Sequence, residues 1–392
     1  MKTEHINELE NSGFNPDSFV SKTLSQAPKD NTKNKVGCQT VIFKKAPVIV
    51  GNYATVGRKE GEGPLGEYFQ YVIQKDLFGE KTYEKAERKM MEHTIFNAID
   101  NANLNPEDID ALLCGDLLNQ IISSSFAARH FNTTFIGLYG ACSTMAESLA
   151  MGAALINAEY FHNVACATSS HFSTAERQYR FPLELGNQRT PTSQWTVTGS
   201  GCTVLSSTGN GPKITAATFG KVTDFGVKDV NNMGAAMAPA AMHTILAHFR
   251  DTKTKPTDYD MILTGDLGRL GSKILLELLH SEGVDLSPVH KDCGCMIFSE
   301  KQKTVQGGSG CGCSAAVLNS VILDMFKKKK LNKILFVATG ALLSTTTSQQ
   351  GESIPCIAHA VVIENIKEDG NNKQVNETDV GKTSNIKANK GK

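Results

Sequence analysis

Cys142 is the residue whose setting best suits chemistry. It follows a glycine-rich strand end, Gly137-Leu-Tyr-Gly-Ala, and opens a long run of helix formers. A thiol at a helix N-terminus meets unpaired N–H groups and the positive end of the dipole, which favours the thiolate. Two readings stand here: a nucleophile, or a small thiol packed as a hydrophobe. A nucleophile needs a base within reach, most often a histidine. His171 ends the motif Ala167-Thr-Ser-Ser-His, which predicts a place at a sheet edge near Cys142. His243 and His248 are five apart on a predicted helix and do not share a face. Each histidine taken alone reads as a satisfied or surface imidazole.

Two carboxylates sit at matching points. Asp116 and Asp266 each follow an apolar strand and a glycine, at the carboxyl ends where ligands gather in open α/β sheets. Capping of the next helix is the competing role for both. Gly268 and Arg269, next along, suit a charged ligand. The pairs Cys293-Gly-Cys and Cys311-Gly-Cys are spaced more tightly than zinc cages favour, so no metal is expected. Gly307-Gly-Ser-Gly-Cys-Gly can cradle an anion with backbone N–H groups, but it lacks the lysine of a nucleoside-triphosphate loop. Lys327 to Lys330 reads as a solvated cap on a helix end.

The elements that position these residues come from a duplication. Asp110-Ala-Leu-Leu-Cys-Gly-Asp-Leu is matched by Asp260-Met-Ile-Leu-Thr-Gly-Asp-Leu at an offset of 150. Gly140-Ala-Cys-Ser-Thr-Met-Ala is matched by Cys311-Gly-Cys-Ser-Ala-Ala-Val at an offset of 171, which the following strand keeps (Val164 onward against Leu335 onward). The repeats predict a doubled βαβ unit. Helices are predicted over Lys81 to Ala102, Ser143 to Ala158 and Ser314 to Lys327, with a mostly parallel sheet covered on both faces. Residues 1–35 form a polar extension, 36–210 and 211–364 two halves, and 365–392 a polar tail without aromatics. Neither end suits a packed core.

Composition narrows the classes. Among 392 residues, 40 Lys+Arg balance 40 Asp+Glu, which excludes a chain-wide footprint for nucleic acid. The first residues carry charge throughout and lack a signal-peptide core. The longest apolar run, Ile334 to Leu343, suits a buried strand and turn, not a membrane span. Ten scattered cysteines read as reduced thiols.

With these residues in view, the chain resembles the thiolase and ketoacyl synthase superfamily, and more closely the stage V sporulation protein AD family of endospore-forming bacteria. The likeness spans roughly Val36 to Glu364. It is carried in order by Lys59-Glu-Gly-Glu-Gly-Pro-Leu, Lys85-Ala-Glu-Arg-Lys, Gly115-Asp-Leu-Leu-Asn-Gln, Ser125-Phe-Ala-Ala-Arg, Gly140-Ala-Cys-Ser-Thr, Ala167-Thr-Ser-Ser-His, Thr174-Ala-Glu-Arg-Gln, Gln194-Trp-Thr-Val-Thr-Gly and Gly307-Gly-Ser-Gly-Cys-Gly-Cys-Ser-Ala.

The resemblance implies an α/β, thiolase-like fold of duplicated βαβ halves in a five-layered αβαβα arrangement. It implies binding rather than catalysis: dipicolinic acid (pyridine-2,6-dicarboxylate), or its calcium chelate, taken up into the developing spore. It further implies a chain peripheral to the spore inner membrane, other proteins of the same operon as partners, a homodimer, and no cofactor beyond the ligand's own calcium. Ketoacyl synthases that resemble this chain carry a His at the end of the strand matching Leu263-Thr264 and an Asn before the Ser-Ala-Ala helix. Here those places read Gly265-Asp266 and Gly312. The vacated space suits a small flat dianion. The ligand is expected near Cys142, the N–H groups of Ser143 and Thr144, and Gly312 to Ser314, with Asp116, His171 and Asp266 close by. Arg177, Arg180 or Arg269 is expected to charge the wall. A Cys142 acyltransferase with His171 as replacement base, and a scaffold of a spore membrane complex, are the other readings.

Overall fold

The computed structural model describes residues 34–179 and 189–366. The expectations for residues 1–33, for the tail from 367 and for Arg180 lie outside the described residues.

The repeats become two equivalent strings of elements. The first is β1 (Val48–Val56), α1 (Tyr83–Asn101), β2 (Ala111–Gly115), α2 (Ile122–Ala128), β3 (Thr134–Gly137), α3 (Thr144–Asn157), β4 (Asn163–Ser170), α4 (Phe172–Tyr179) and β5 (Gly199–Ser206). The second is β6 (Lys213–Thr218), α5 (Met233–Thr252), β7 (Met261–Thr264), α6 (Gly268–Ser281), β8 (His290–Asp292), α7 (Cys311–Val317), β9 (Lys333–Ala341) and β10 (Cys356–Glu364). The helix expected over Ser314 to Lys327 starts three residues earlier and passes through a π-turn at Leu318–Ile322 before Leu323–Lys327.

Both halves arrange their strands in one spatial order: β3-β2-β4-β5-β1 and β8-β7-β9-β10-β6. The first three of each are parallel, and β5 and β10 run antiparallel to their neighbours. The two sheets meet at a single pair, Lys213 with Val48. Helix α3 lies between them, packing on β4 of its own half and on β9 and β10 of the other, beside α7 on β4 and β5. Helices α1 and α2 cover one outer face, and α5 and α6 the other. This is the five-layered α/β architecture. Strands covered on both sides lose the alternation of a half-exposed strand, and β4 is buried at seven of its eight positions.

Matching side chains do matching work. The Asp110 carboxylate accepts the N–H groups of His162 (2.6 Å) and Asn163 (2.9 Å), and Asp260 accepts those of Asn332 (2.6 Å) and Lys333 (2.9 Å). Each ties the turn before its own strand to the start of the parallel neighbour. His248 is a satisfied core imidazole, 2.7 Å from both Thr218 Oγ1 and the Tyr259 hydroxyl. Lys328 pairs with Asp324 on an exposed helix end.

The central helices reach the sheets through residues without side chains. A Cβ added at Gly201 of β5 would lie 2.3 Å from the Ala315 carbonyl oxygen of α7. Gly201→Ala is therefore expected to cost about 1–3 kcal/mol by overpacking. Urea unfolding should show a lower midpoint with an unchanged slope.

Candidate functional site

The carboxyl ends of β2, β4, β7 and β9 meet around a short turn, Ala141–Ser143, that leads into α3. Ala141 takes a left-handed backbone (φ 50°), an uncommon conformation for alanine, and the next residue is Cys142. The end of β9 presses on this turn. A Cβ at Gly340 would lie 2.1 Å from the Gly140 carbonyl oxygen.

Asp266 is the centre of the arrangement and is fully buried. Its carboxylate accepts the Gly310 N–H at 2.8 Å, the Ser309 hydroxyl at 3.2 Å and the Thr339 hydroxyl at 3.2 Å, and it hydrogen-bonds to the Cys142 thiol. The glycine-rich loop does cradle an anion, as its composition predicts, but the anion is the protein's own carboxylate. Burial pushes Asp266 up to about 7.

A cavity of about 80 Å³ opens above Cys142. Its polar walls are Ser309, Thr196, Glu176 and Tyr179, and its apolar walls include Leu117, Val230, Met237 and Leu343. Glu176 Oε1 lies 3.3 Å from the Arg189 guanidinium. Among the described residues no Lys or Arg side chain lines the cavity. None of them forms a group of three or more His, Cys, Asp or Glu able to hold a metal ion.

Several expectations are corrected by these positions. Burial first, then the negative charge of Asp266, pushes the Cys142 thiol well above its ordinary value, so the favoured thiolate is not found. The reason is burial first and the Asp266 carboxylate second, which together outweigh the helix end. Ser143 does not offer its N–H, which donates to Gly140 O, and its hydroxyl returns to the same oxygen at 2.7 Å. Thr144 behaves likewise, with both its N–H and its hydroxyl on Ala141 O. The Gly312 N–H donates to Ser170 Oγ at 3.1 Å, and the Ser314 hydroxyl to Cys311 O at 3.3 Å. None of these four lines the cavity.

Asp116 and His171 also stand elsewhere. Asp116 accepts the N–H and hydroxyl of Ser124 (2.8 and 2.6 Å) and the Leu118 N–H (2.9 Å), so it secures the loop into α2. The helix-capping alternative is the correct one for this residue. His171 follows an interior strand, not a sheet edge. Its Nε2 meets Asp76 O at 3.0 Å and its Nδ1 accepts the Ser173 N–H at 3.1 Å, while the ring packs on Tyr83. Burial lowers its pKa. Arg177 pairs with Glu84, and Arg269 donates to Val305 O. Of the expected ligand-binding residues, the structure brings together Cys142 and Asp266.

Glu176, Thr196 and Arg189 escaped the residue-by-residue reading. Two of them lie inside strings that carry the family resemblance, Thr174-Ala-Glu-Arg-Gln and Gln194-Trp-Thr-Val-Thr-Gly. Those strings were the available signal.

Comparison with known proteins fits this geometry. The family model for stage V sporulation protein AD matches residues 37–364. The chain is 46% identical over 329 residues to the stage V sporulation protein AD of Bacillus subtilis (strain 168), covering 84% of this chain and 97% of that protein. The chain belongs to the stage V sporulation protein AD family. Its fold is shared with 3-oxoacyl-[acyl-carrier-protein] synthase III from Aquifex aeolicus, at a TM-score of 0.52 and 12% identity over 81% of this chain and 100% of that one. A variant of OleA from Xanthomonas campestris gives 0.55 and 12%, over 82% and 99%. This chain thus combines the fold of ketoacyl synthases with membership of a family of sporulation proteins. Among its described residues, no helix is long and apolar enough to cross a membrane.

Two outcomes follow from the buried groups. The rate of Cys142 alkylation by iodoacetamide, read by peptide mass spectrometry, should still be rising above pH 9, and Asp266→Asn should accelerate it at pH 8.5. Stability should also fall on the alkaline side. Burial raises Glu60 to about 7, Glu87 to about 8 and Asp266 to about 7. Each therefore holds its proton better when folded, and its contribution is lost as pH rises from the ordinary carboxylate range through those values. Burial lowers His243, His248, His290 and His359 to about 4, and these act oppositely, losing stability as pH falls below 6.5. Above 6.5 the carboxyls act alone. The thermal midpoint should drop between about pH 6.5 and 8, and drop less in Glu87→Gln.

Proposed function

We propose that this chain binds dipicolinic acid in the cavity above Cys142 during its uptake into the developing spore, with calcium arriving only as the ligand's own chelate. The observation that carries the reading is the state of the thiol. Cys142 is buried, bonded to Asp266 and pushed up, a setting that holds a ligand rather than attacks one. The cavity is small and mostly apolar, which suits a small flat ring better than a long acyl chain.

Two glycines support a role without catalysis. Gly265 and Gly312 stand where the resemblance places the histidine and asparagine of ketoacyl synthases. A Cβ at Gly312 would lie 2.3 Å from Gly199 O and 2.6 Å from Ser170 Oγ, so no side chain fits there without a backbone shift. At Gly265 the nearest atom is Ala338 Cα, 3.2 Å from an added Cβ. Without those two groups, the oxyanion and carbanion of acyl chemistry lose stabilisation of several kcal/mol, on the order seen when such donors are removed.

The proposal includes the family's setting: peripheral attachment at the spore inner membrane, beside other proteins of the same operon, as a homodimer. The edge strand β3 supports the dimer, since among the described residues no strand pairs with its outer side and Ile122, Phe126 and Tyr139 are exposed around it.

Calorimetric titration with dipicolinic acid, with and without calcium, tests the reading. Saturable binding near one ligand per chain is expected. Cys142→Ala should weaken it at least several-fold, and Leu343→Trp at the half-buried mouth should abolish it while leaving the thermal midpoint close to that of the parent. Absence of heat under both conditions would sink direct binding and leave the scaffold. Mass-spectrometric capture of an acyl group on Cys142 would favour the acyltransferase.

A further inference from the structure

The end of the molecule opposite the cavity gathers lysines. Strands β1, β6 and β9 begin there, at Val48, Lys213 and Lys333, and β10 ends there at Glu364. Lys213 and Lys333 are both register partners of Glu364. The Phe43 N–H donates to Thr215 O and the Ile214 N–H to Pro47 O, which lays Lys44 and Lys45 beside β6. Asn365 Nδ2 reaches Phe326 O at 3.4 Å and Leu331 O at 3.3 Å, which draws in the turn Lys327–Lys330.

Much of this charge is unpaired. Lys45 pairs with Glu159, Lys328 with Asp324 at 2.7 Å, and Lys333 with Glu364 at 3.7 Å. Asp260, beside Lys333, already accepts the N–H groups of Asn332 and Lys333, and Glu67 faces Lys328. Lys44, Lys213, Lys327, Lys329 and Lys330 have no ion pair among the described residues, and all but the half-buried Lys213 are exposed. Two large side chains stand out among them. Tyr160, next to the partner of Lys45, is 74% exposed, and Ile366, next to Asn365, is 47% exposed. Lysines around an exposed aromatic and an exposed aliphatic side chain match the headgroup layer of an anionic bilayer.

We propose that this face docks the protein on an anionic phospholipid surface. The proposal rests on the reading that the chain is peripheral to a membrane, and adds the face and the lipid chemistry. The formal charge of the whole chain is zero, so a charged bilayer attracts it only through a local excess of lysine. That attraction acts within about 10 Å of the lipid at ordinary ionic strength. Orientation follows from α3. The helix opens at the Cys142 turn and ends at Asn157, whose Oδ1 accepts the Lys45 N–H at 3.0 Å. Its 14 residues span about 21 Å, so docking by the lysines leaves the cavity on the side away from the lipid.

Cosedimentation of the full-length protein with lipid vesicles tests this. Vesicles of about two parts phosphatidylcholine to one of phosphatidylglycerol should carry the parent down at about 50 mM salt. Binding should be absent on pure phosphatidylcholine and fall at least about tenfold at about 500 mM salt. Lys327→Gln, Lys329→Gln and Lys330→Gln combined should weaken it by about tenfold or more, and Tyr160→Ser by about threefold. Lys75→Gln, Lys81→Gln and Lys301→Gln combined remove the same charge from exposed sites elsewhere and should bind as the parent does. All variants should keep a thermal midpoint close to the parent's. If the parent binds anionic vesicles and the Lys327, Lys329 and Lys330 variant binds equally well, the face is overturned and peripheral attachment stands. Equal binding to pure phosphatidylcholine would overturn the charge argument. If the parent ignores anionic vesicles at low salt, lipid docking is overturned and attachment passes to partner proteins.

Discussion

The Asp266 carboxylate holds the site together. It closes strand β7, receives the N–H of the glycine loop that opens α7, takes a hydroxyl from β9, and bonds the thiol of the turn that opens α3. Four segments from both halves therefore converge on two oxygen atoms. A charge so deeply buried is costly unless its lone pairs are used, and here the partners lie on strand β9 and in the turns that open α3 and α7. Its proton affinity rises because burial outweighs even this number of donors.

That constraint explains how two repeats with the same strand order came to differ. Asp116 and Asp266 occupy the same point of the repeated strand, yet Asp116 secures the loop of its own half. In the second half the loop-securing task falls to Asp292, which accepts the N–H groups of Leu267, Gly268 and Cys295. Asp266 is thereby released from local duty and turns inward to the other half. The same division separates the helix-opening cysteines. Cys142 reaches the cavity, while Cys311 donates to Ser169 O inside the core.

The electrostatics of the pocket follow from its enclosure. Glu176 is the acidic side chain in its wall, Asp266 lies behind Cys142 and Ser309, and among the described residues no Lys or Arg side chain lines it. The thiol that looks like a nucleophile by position is governed by its burial and then by the carboxylate beside it, and position at a helix end loses to both.

Periodicity, the two echoes and their constant offsets were enough to establish the doubled α/β architecture, because strand and helix patterns and turn chemistry are local. They also located Cys142 and Asp266, since both follow strand ends in segments that the repeat marks twice. What they could not decide was which side chains face each other across the halves. Ser143, Thr144, Gly312 and Ser314 sit at helix starts, and local rules assign them free N–H groups that tertiary contacts in fact consume. Asp116 and His171 share motif, strand end and residue type with a working site, and only the loops packed over them turn them away. Glu176, Thr196 and Arg189 belong to segments distant from Cys142 in the chain. They become neighbours of the cavity only because α4 and the Trp195 segment fold over the junction of the halves, a relation between surfaces that no local pattern encodes.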